Sequence, residues 1–61
     1  MIRYYTVAAD LKTGYDINYS FYHLKDAEAK YDSLTEANVT YKSITATDDK
    51  TGDILLKSEA Y

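Results

Sequence analysis

The sequence has no cysteine, no proline and no tryptophan, and only two glycines. Without cysteine the chain can form no disulfide bond and offers no thiolate to a metal ion or a substrate. No apolar run approaches the ~20 residues that a membrane-spanning helix needs, and the first residues lack the apolar core of a signal peptide. We therefore expect a soluble, cytoplasmic domain that makes no membrane contact.

Positive charge is also scarce. Seven Lys and Arg residues stand against ten Asp and Glu residues, which gives a net charge of −3. Binding nucleic acid through its phosphates requires a basic face, so this balance argues against a nucleic-acid partner. A chain of 61 residues makes a single domain, residues 1–61, that is small for an unaided hydrophobic core.

The first third of the chain has the pattern of a β-hairpin. Residues 2–10 are rich in aromatic and β-branched types, and residues 15–23 alternate between apolar and polar side chains. The segment between them contains Asp10 and Gly14, which are typical of a hairpin loop. The pattern predicts a hairpin over residues 2–23.

The hydrophobic period changes at Leu24, where apolar residues begin to recur at the three-and-four spacing of a helix. This spacing predicts a helix over residues 24–37. His23 fits the N-cap position and Asn38 fits the stop after the last turn. Since His23 is the only histidine, we expect a structural and not a catalytic role for it.

The last third predicts a second hairpin over residues 39–59, with strands at 39–48 and 54–59. Val39 and Ile44 would lie on opposite faces of an uninterrupted strand, which predicts a register break near Ser43.

The order ββαββ predicts an α+β fold, with one helix packed on one face of a four-stranded antiparallel sheet. Short connections favour the strand orders 2-1-3-4 and 1-2-4-3, and place the two hairpin loops at opposite ends of the sheet. The loops themselves share the pattern Asp-x-Lys-Thr-Gly. The likeness is explained either by the chemistry that hairpin turns demand or by duplication of a hairpin.

The sequence supplies little catalytic chemistry. It has one histidine, no cysteine and no serine within Gly-x-Ser-x-Gly. Its paired carboxylates fall on turns and on an exposed helix face, where nothing apolar would raise a pKa. Asp48, Asp49 and Asp53 cluster, but their spacing does not match a calcium-binding EF-hand loop. We expect no enzymatic activity, no cofactor and no metal site.

Eight tyrosines in 61 residues are the most unusual feature. Tyr4 and Tyr5 are adjacent, so they point to opposite faces of a strand, and at least two tyrosines must lie away from the helix. Three interpretations remain open: a small core built from tyrosine, a protein-binding surface, or a platform for single-stranded nucleic acid.

The expected function is that of a small, acidic, tyrosine-rich protein-binding module. The alternatives are a structural or accessory homo-oligomer and a single-stranded nucleic-acid binder. Carboxylates on a rigid scaffold can mimic phosphates and occupy a basic groove on a partner, while tyrosine rings supply desolvated anchors. Reversing the charge of the second turn is expected to abolish binding and leave the fold intact. The residues proposed for binding are Asp26, Glu28, Asp32, Glu36, Asp48, Asp49, Asp53, Tyr5 and Tyr22.

Self-association is a further expectation. A four-stranded sheet has two edges, and few inward charges and no prolines guard them here. We predict a homodimer through a sheet edge or through the tyrosine-bearing face.

The segment from Tyr4 to Ala37, with Asp10-x-x-Thr13-Gly14, an aromatic strand containing Phe21, and a helix opening at Leu24, loosely resembles the arm-type DNA-binding domain of phage integrases. The basic strands of that family are replaced here by Asp16, Asn18 and Ser20. In size, charge and outline the chain also resembles small phage and mobile-element accessory proteins, anti-CRISPR-type inhibitors among them. This resemblance implies an inhibitor of a host nucleic-acid-handling or defence protein, acting in the host cytoplasm.

Overall fold

The computed structural model describes residues 1–61. The strands form one antiparallel sheet in the order β2-β1-β3-β4, and the helix packs on one face. The α+β fold and the ββαββ order are confirmed, with the first of the two favoured strand orders. The elements are β1 (Ile2–Leu11), β2 (Asp16–Phe21), α1 (Leu24–Ser33), β3 (Val39–Asp48) and β4 (Gly52–Ala60).

The strand bounds follow from which residues find partners in the sheet. β3 spans the predicted residues. β2 is shorter than predicted because its pairing with β1 runs only from Asp16 to Phe21. β4 begins earlier than predicted because Gly52 pairs with Asp48, the last residue of β3.

Register shifts decide which side chains reach the core. In the β1–β3 pairing, Asp10 is opposite Tyr41 but Leu11 is opposite Val39, so Thr40 is an extra residue. This bulge brings Val39 and Ile44 to the same face, and both are buried. The expected break thus exists, but it lies at Thr40 and not near Ser43.

A second bulge lies in β4, where Leu56 is the extra residue. Ile44 is opposite Lys57, while the next residue of β3, Thr45, is opposite Leu55. A bulge bends and twists its strand, so β4 departs from a flat extension of the sheet.

The helix begins where the sequence predicts and ends earlier. His23 is the N-cap, and its carbonyl oxygen accepts the amides of Asp26 and Ala27, each at 3.1 Å. The His23 side chain makes no capping hydrogen bond.

The helix ends at Ser33, and the predicted end at residue 37 is wrong. The ammonium group of Lys42 donates hydrogen bonds to the carbonyl oxygens of Tyr31 (2.9 Å) and Leu34 (2.7 Å). The Tyr31 carbonyl also accepts the Leu34 amide at 3.1 Å, whereas Leu34 lies past the last helical residue, where carbonyls lack a helical amide partner. Leu34 adopts an extended conformation, with φ −90° and ψ 115°, and the chain turns away towards β3.

The core is small and lies between α1 and three strands. Only 10 of the 61 residues are buried. The backbone of α1 lies against β1, β2 and β3 but not against β4, and every residue of β4 is exposed. The buried apolar cluster comprises Val7, Ala9, Ala27, Tyr31, Leu34, Val39 and Ile44.

The side of the sheet away from α1 is here called the open face. Strand alternation places small polar residues along most of it. The two hairpin turns lie at its opposite ends, as expected, because Asp10 and Tyr41 pair at one end while Ile2 and Asp48 pair at the other. The helix is neither long nor apolar enough to span a membrane.

Candidate functional site

Two adjoining depressions mark the end of the sheet that carries the second hairpin turn. Their volumes are about 360 Å³ and 630 Å³, and both are lined by Tyr4 and Tyr22. We call the pair the tyrosine cleft. The smaller depression is completed by Thr6, Ser20 and Phe21. The larger is completed by Met1, Ile2, Arg3, Thr47, Asp48 and Asp49.

The pairing of β1 positions Tyr4 in the cleft. A register shift between Ile2 and Tyr4 leaves Arg3 as an extra residue and sets Tyr4 opposite Thr47. Tyr4 thereby lies on the open face, where its side chain is 38% exposed. Tyr22 follows the last residue of β2 and precedes the helix N-cap, and it is 84% exposed. The cleft therefore presents two aromatic rings to solvent.

The second hairpin turn borders the cleft and is held by Asp48. One oxygen of this carboxylate accepts the backbone amides of Lys50 (2.7 Å) and Thr51 (3.1 Å). The other lies 3.0 Å from the α-amino group of Met1. The Lys50 amide first, then the α-amino group, lower the pKa of Asp48 to about 2.

The neighbouring carboxylates are less constrained. Asp49 also lies 3.0 Å from the α-amino nitrogen of Met1, but its side chain is 44% exposed. Asp53 accepts a hydrogen bond of 2.9 Å from the hydroxyl of Thr47. Charge reversal at Asp48 would therefore remove a turn cap, so we expect the fold to be spared by reversal of Asp49 and Asp53 and not by reversal of all three acids.

The structure separates the proposed acidic residues. Asp26 is in the first turn of α1, near the end of the sheet that carries the second hairpin turn, whereas Asp32 is in the last turn. Glu36 follows the helix; a hydrogen bond to Glu59 first, and the charge of Glu36 last, raise the pKa of Tyr61 at the far end of β4. Glu28 pairs with Lys57 at 3.3 Å. The acids do not form one patch, and those nearest the tyrosine cleft belong to the second turn.

Tyr5 lies outside the cleft. It is on the face covered by α1 and packs, partly buried, against the core, while Tyr4 takes the exposed position. The sequence shows that Tyr4 and Tyr5 point to opposite faces, but it does not show which of them faces the helix. The choice depends on the pairing of β1 with β3, which brings Tyr5 opposite Ala46, a buried residue.

Arg3, Thr47 and Tyr4 are members of the cleft that the sequence did not single out. Thr47 ends up beside Tyr4 only because two distant strands pair. The one local signal for these residues was the adjacency of Arg3 to a pair of tyrosines at the start of a strand.

A second polar cluster lies where α1 meets β4. The hydroxyl of Tyr31 donates to Glu59 at 3.0 Å, and Tyr61 donates to the other oxygen of Glu59 at 2.8 Å. Burial first, and then the Glu59 carboxylate, raise the pKa of Tyr31 to about 12. The ammonium of Lys42 lies 4.0 Å from the centre of the Tyr31 ring. This cluster ties β4 to the helix.

No three His, Asp or Glu side chains come together in a group that could hold a metal ion. Comparison with protein-family models, with curated proteins and with solved structures finds no match for this chain.

Proposed function

We propose that this chain is a protein-binding module whose contact surface is the tyrosine cleft. The observation that carries the proposal is the position of Tyr4 and Tyr22, which line both depressions at one end of the sheet. Tyrosine is enriched among the residues that dominate binding energy at protein interfaces. Its ring buries a large apolar area on binding, and its hydroxyl can hydrogen-bond to water in the free protein or to the partner in the complex.

The side chains around the cleft favour a protein as the binding partner. Hydroxyl groups of Thr6, Ser20 and Thr47 lie around the two rings, as in interfaces where aromatic anchors are surrounded by polar side chains. Arg3 is the only Lys or Arg side chain in the lining. Single-stranded nucleic acid requires a basic groove in addition to stacking surfaces, so the protein partner is favoured.

The partner's surface should be basic. Asp48 and Asp49 line the larger depression, and Asp53 lies next to Thr47 across the β3–β4 ladder. Complementary charge speeds encounter and selects among partners more than it raises affinity. A partner whose basic surface normally holds nucleic acid would be blocked by this chain, which is the inhibitory role implied by the resemblance to phage accessory proteins.

A matched set of tyrosine variants tests the proposal. Tyr4→Thr with Tyr22→Ser removes both rings and keeps β-forming or turn-forming residues at each position. Tyr15→Ser is the control, because Tyr15 is 74% exposed but lies at the first hairpin turn, at the other end of the sheet. Each immobilised variant is used to capture proteins from a lysate of the cells that make the chain, and bound proteins are quantified by mass spectrometry.

We expect at least one stoichiometric protein whose capture falls about tenfold or more in the double variant and is unchanged in the control. Circular dichroism confirms that both variants fold. Equal capture by the double variant and the wild type would refute the role of the cleft. Binding to a fluorescent single-stranded oligonucleotide, lost in the double variant, would favour the nucleic-acid alternative instead.

The contribution of charge is tested with Asp49→Lys and Asp53→Lys together, leaving Asp48 to cap the turn. The reversal should slow association with the captured partner and reduce its dependence on salt. An unchanged association rate would show that Asp49 and Asp53 do not contribute to the binding surface.

A further inference from the structure

Few side chains attach the edge strand β4 to the rest of the molecule. None of its nine residues is buried, and its single neighbour in the sheet is β3. The backbone of α1 lies over β1, β2 and β3, and β4 adds no residue to the buried apolar cluster. Elements with few buried apolar contacts open at the lowest cost in free energy. We therefore expect β4 to be the strand that separates first from an otherwise folded molecule.

One carboxylate holds the last residues of β4 against the helix. One oxygen of Glu59 accepts the hydroxyl of Tyr31 at 3.0 Å, and the other oxygen accepts the hydroxyl of Tyr61 at 2.8 Å. Tyr31 is a buried residue of α1, and the amide of Tyr61 donates to the carbonyl oxygen of Thr40 at 2.8 Å. Glu59 thus connects the core of the molecule with the residue that follows β4.

Glu59 also balances a buried positive charge. It is opposite Lys42 in the β3–β4 ladder, and Lys42 is only 5% exposed. The hydrogen-bond partners of the Lys42 ammonium are two backbone carbonyls, which carry no net charge. A buried charge is costly unless an opposite charge lies nearby. β4 supplies that opposite charge, so removal of β4 or neutralisation of Glu59 would leave Lys42 without it.

The surroundings of Glu59 favour its ionised form. The hydroxyl of Tyr61 first, and then that of Tyr31, lower the pKa of Glu59, and the charges of Lys42 and Lys57 add to this effect. The remaining charged groups around the cluster are acids of α1 and of the segment after it, namely Glu28, Asp32 and Glu36. Because the pKa is lowered on folding, the contribution of Glu59 to stability is present above its unfolded pKa. It is lost as pH falls through the folded value.

We propose that Glu59 is a pH-sensitive tether of β4: its carboxylate holds the strand against α1, and protonation of this carboxylate releases β4 while α1 and the other three strands stay folded. A protonated carboxyl turns one of its oxygens into a donor, and it no longer balances the charge of Lys42. Release exposes the peptide groups of β3 that otherwise pair with β4, which creates a new free edge. Tyr4 and Tyr22 take no part, so the proposal does not depend on the proposed function.

Amide hydrogen exchange of the full chain, measured by NMR from neutral to acidic pH, tests the tether. The observable is the protection factor, which corrects for the intrinsic dependence of exchange on pH. In the wild type, amides of the β3–β4 ladder should lose protection as the side-chain carboxyl carbon of Glu59 titrates, with the same midpoint. Amides of the β1–β2 ladder should keep their protection through that step, because the opening is local.

Glu59→Gln has the size of the protonated carboxyl and no charge. At neutral pH it should lower the protection of the β3–β4 ladder by about fivefold or more and leave the β1–β2 ladder unchanged. The acid step at the midpoint of Glu59 should be absent. Asp53→Asn is the matched control, because it neutralises another exposed acid of β4, one that bonds only the hydroxyl of Thr47, and it should retain the acid step. Tyr61→Phe removes one of the two hydroxyls and should cause a smaller loss, also confined to the β3–β4 ladder.

Three results would overturn the proposal. If both ladders of the wild type lose protection at the same pH, β4 opens only with the whole fold. If Glu59→Gln keeps the wild-type acid step, another acid is responsible for it. If circular dichroism shows that Glu59→Gln is unfolded at neutral pH, Glu59 supports the global fold and not one strand.

Discussion

The two hairpins that flank α1 have similar turn sequences but are stabilised in different ways. The first hairpin, β1–β2, has apolar side chains from both strands packed against the buried cluster beneath α1. In the second, β3 contributes to the core, whereas no residue of β4 is buried. β4 is therefore held by its backbone ladder with β3 and by polar contacts to the helix. The comparison shows that one helix of ten residues covers three strands and leaves the fourth to other interactions.

The two hairpin turns also differ in the pKa of their first aspartate. Asp10 and Asp48 occupy equivalent positions in the shared Asp-x-Lys-Thr-Gly pattern. A hydrogen bond with the Asp16 carboxyl, opposite it in the ladder, raises the pKa of Asp10. Backbone amides of the turn lower the pKa of Asp48. In the same motif, the aspartate pKa is thus raised in one turn and lowered in the other, because the strand that follows the turn begins after the glycine in the first hairpin and at the glycine in the second.

The largest effect is expected at Lys42, which joins the second hairpin to the end of the helix. Its side chain is buried, and its ammonium makes two hydrogen bonds to backbone carbonyls. Lys42→Met would leave the Leu34 carbonyl without its lysine donor and the Tyr31 carbonyl with only the Leu34 amide, and should lower the free energy of unfolding by about 2 kcal/mol. The measurement is urea denaturation followed by helix circular dichroism. Lys50→Met, at an exposed position, is the control, and an equal loss in both variants would contradict the capping role.

The next effect contrasts apolar side chains on the two edge strands. Phe21 of β2 packs against the core, so Phe21→Ala should cost about 2 kcal/mol of unfolding free energy. Leu55 of β4 is 59% exposed, and Leu55→Ala should change it by less than about 0.5 kcal/mol at concentrations where the chain is monomeric. Similar losses from the two variants would mean that β4 packs against the core after all.

A smaller effect is expected where the helix reaches β4. Tyr31→Phe keeps the buried ring and removes the hydrogen bond to Glu59, which should cost about 1 kcal/mol. The consequence should be local, with faster hydrogen exchange in β4 than in β2. Uniform acceleration across the whole sheet would show that this bond supports the global fold and not one strand.

The smallest expected effects are those of Asp48 and Asp10 on the pH dependence of stability, and they have opposite sign. Because the pKa of Asp48 falls from 3.8 to about 2 on folding, its contribution to stability is present above its unfolded pKa and is lost as pH falls towards 2. The pKa of Asp10 is raised, so its contribution is present below the unfolded pKa and is lost as pH rises through the folded value. Asp48→Asn should flatten the acid limb of the stability curve, whereas Asp10→Asn should cause no loss at neutral pH. Thermal melts between pH 2 and pH 7 measure both, and a shared direction would contradict the assignment.

The sequence predicted those parts of the fold that depend on neighbours along the chain. Aromatic and β-branched residues on either side of the turn motifs, with alternation over residues 15–23, predicted the two hairpins, and the change of period at Leu24 predicted the first residue of the helix. The predicted helix end was wrong because the backbone becomes extended at Leu34, where Lys42, a residue of a later strand, bonds the carbonyls of Tyr31 and Leu34. Local capping rules do not include a donor that strand pairing brings to the helix end from a distant part of the sequence.

The candidate site was less accessible to sequence reasoning for the same reason. Of the residues proposed from the sequence, Tyr22, Asp48 and Asp49 line the cleft, whereas Tyr5 does not and Tyr4 lies there instead. Alternation shows that the two point in opposite directions, and only the pairing with β3 shows which direction leads to the core. The lateral position of α1, which leaves β4 bare, likewise depends on how side chains pack across the whole sheet.

The buried lysine also acts as a check on strand alignment. If β3 slipped by one residue against β1, Lys42 would swing to the open face, and Tyr41 or Ser43 would be brought beneath the end of the helix. Neither could donate two hydrogen bonds to the carbonyls of Tyr31 and Leu34, because each has a single hydroxyl proton. A misaligned sheet would thus remove the two lysine hydrogen bonds from the helix end. The native alignment of β3 is therefore the one in which a single ammonium group can bond both carbonyls at the helix end.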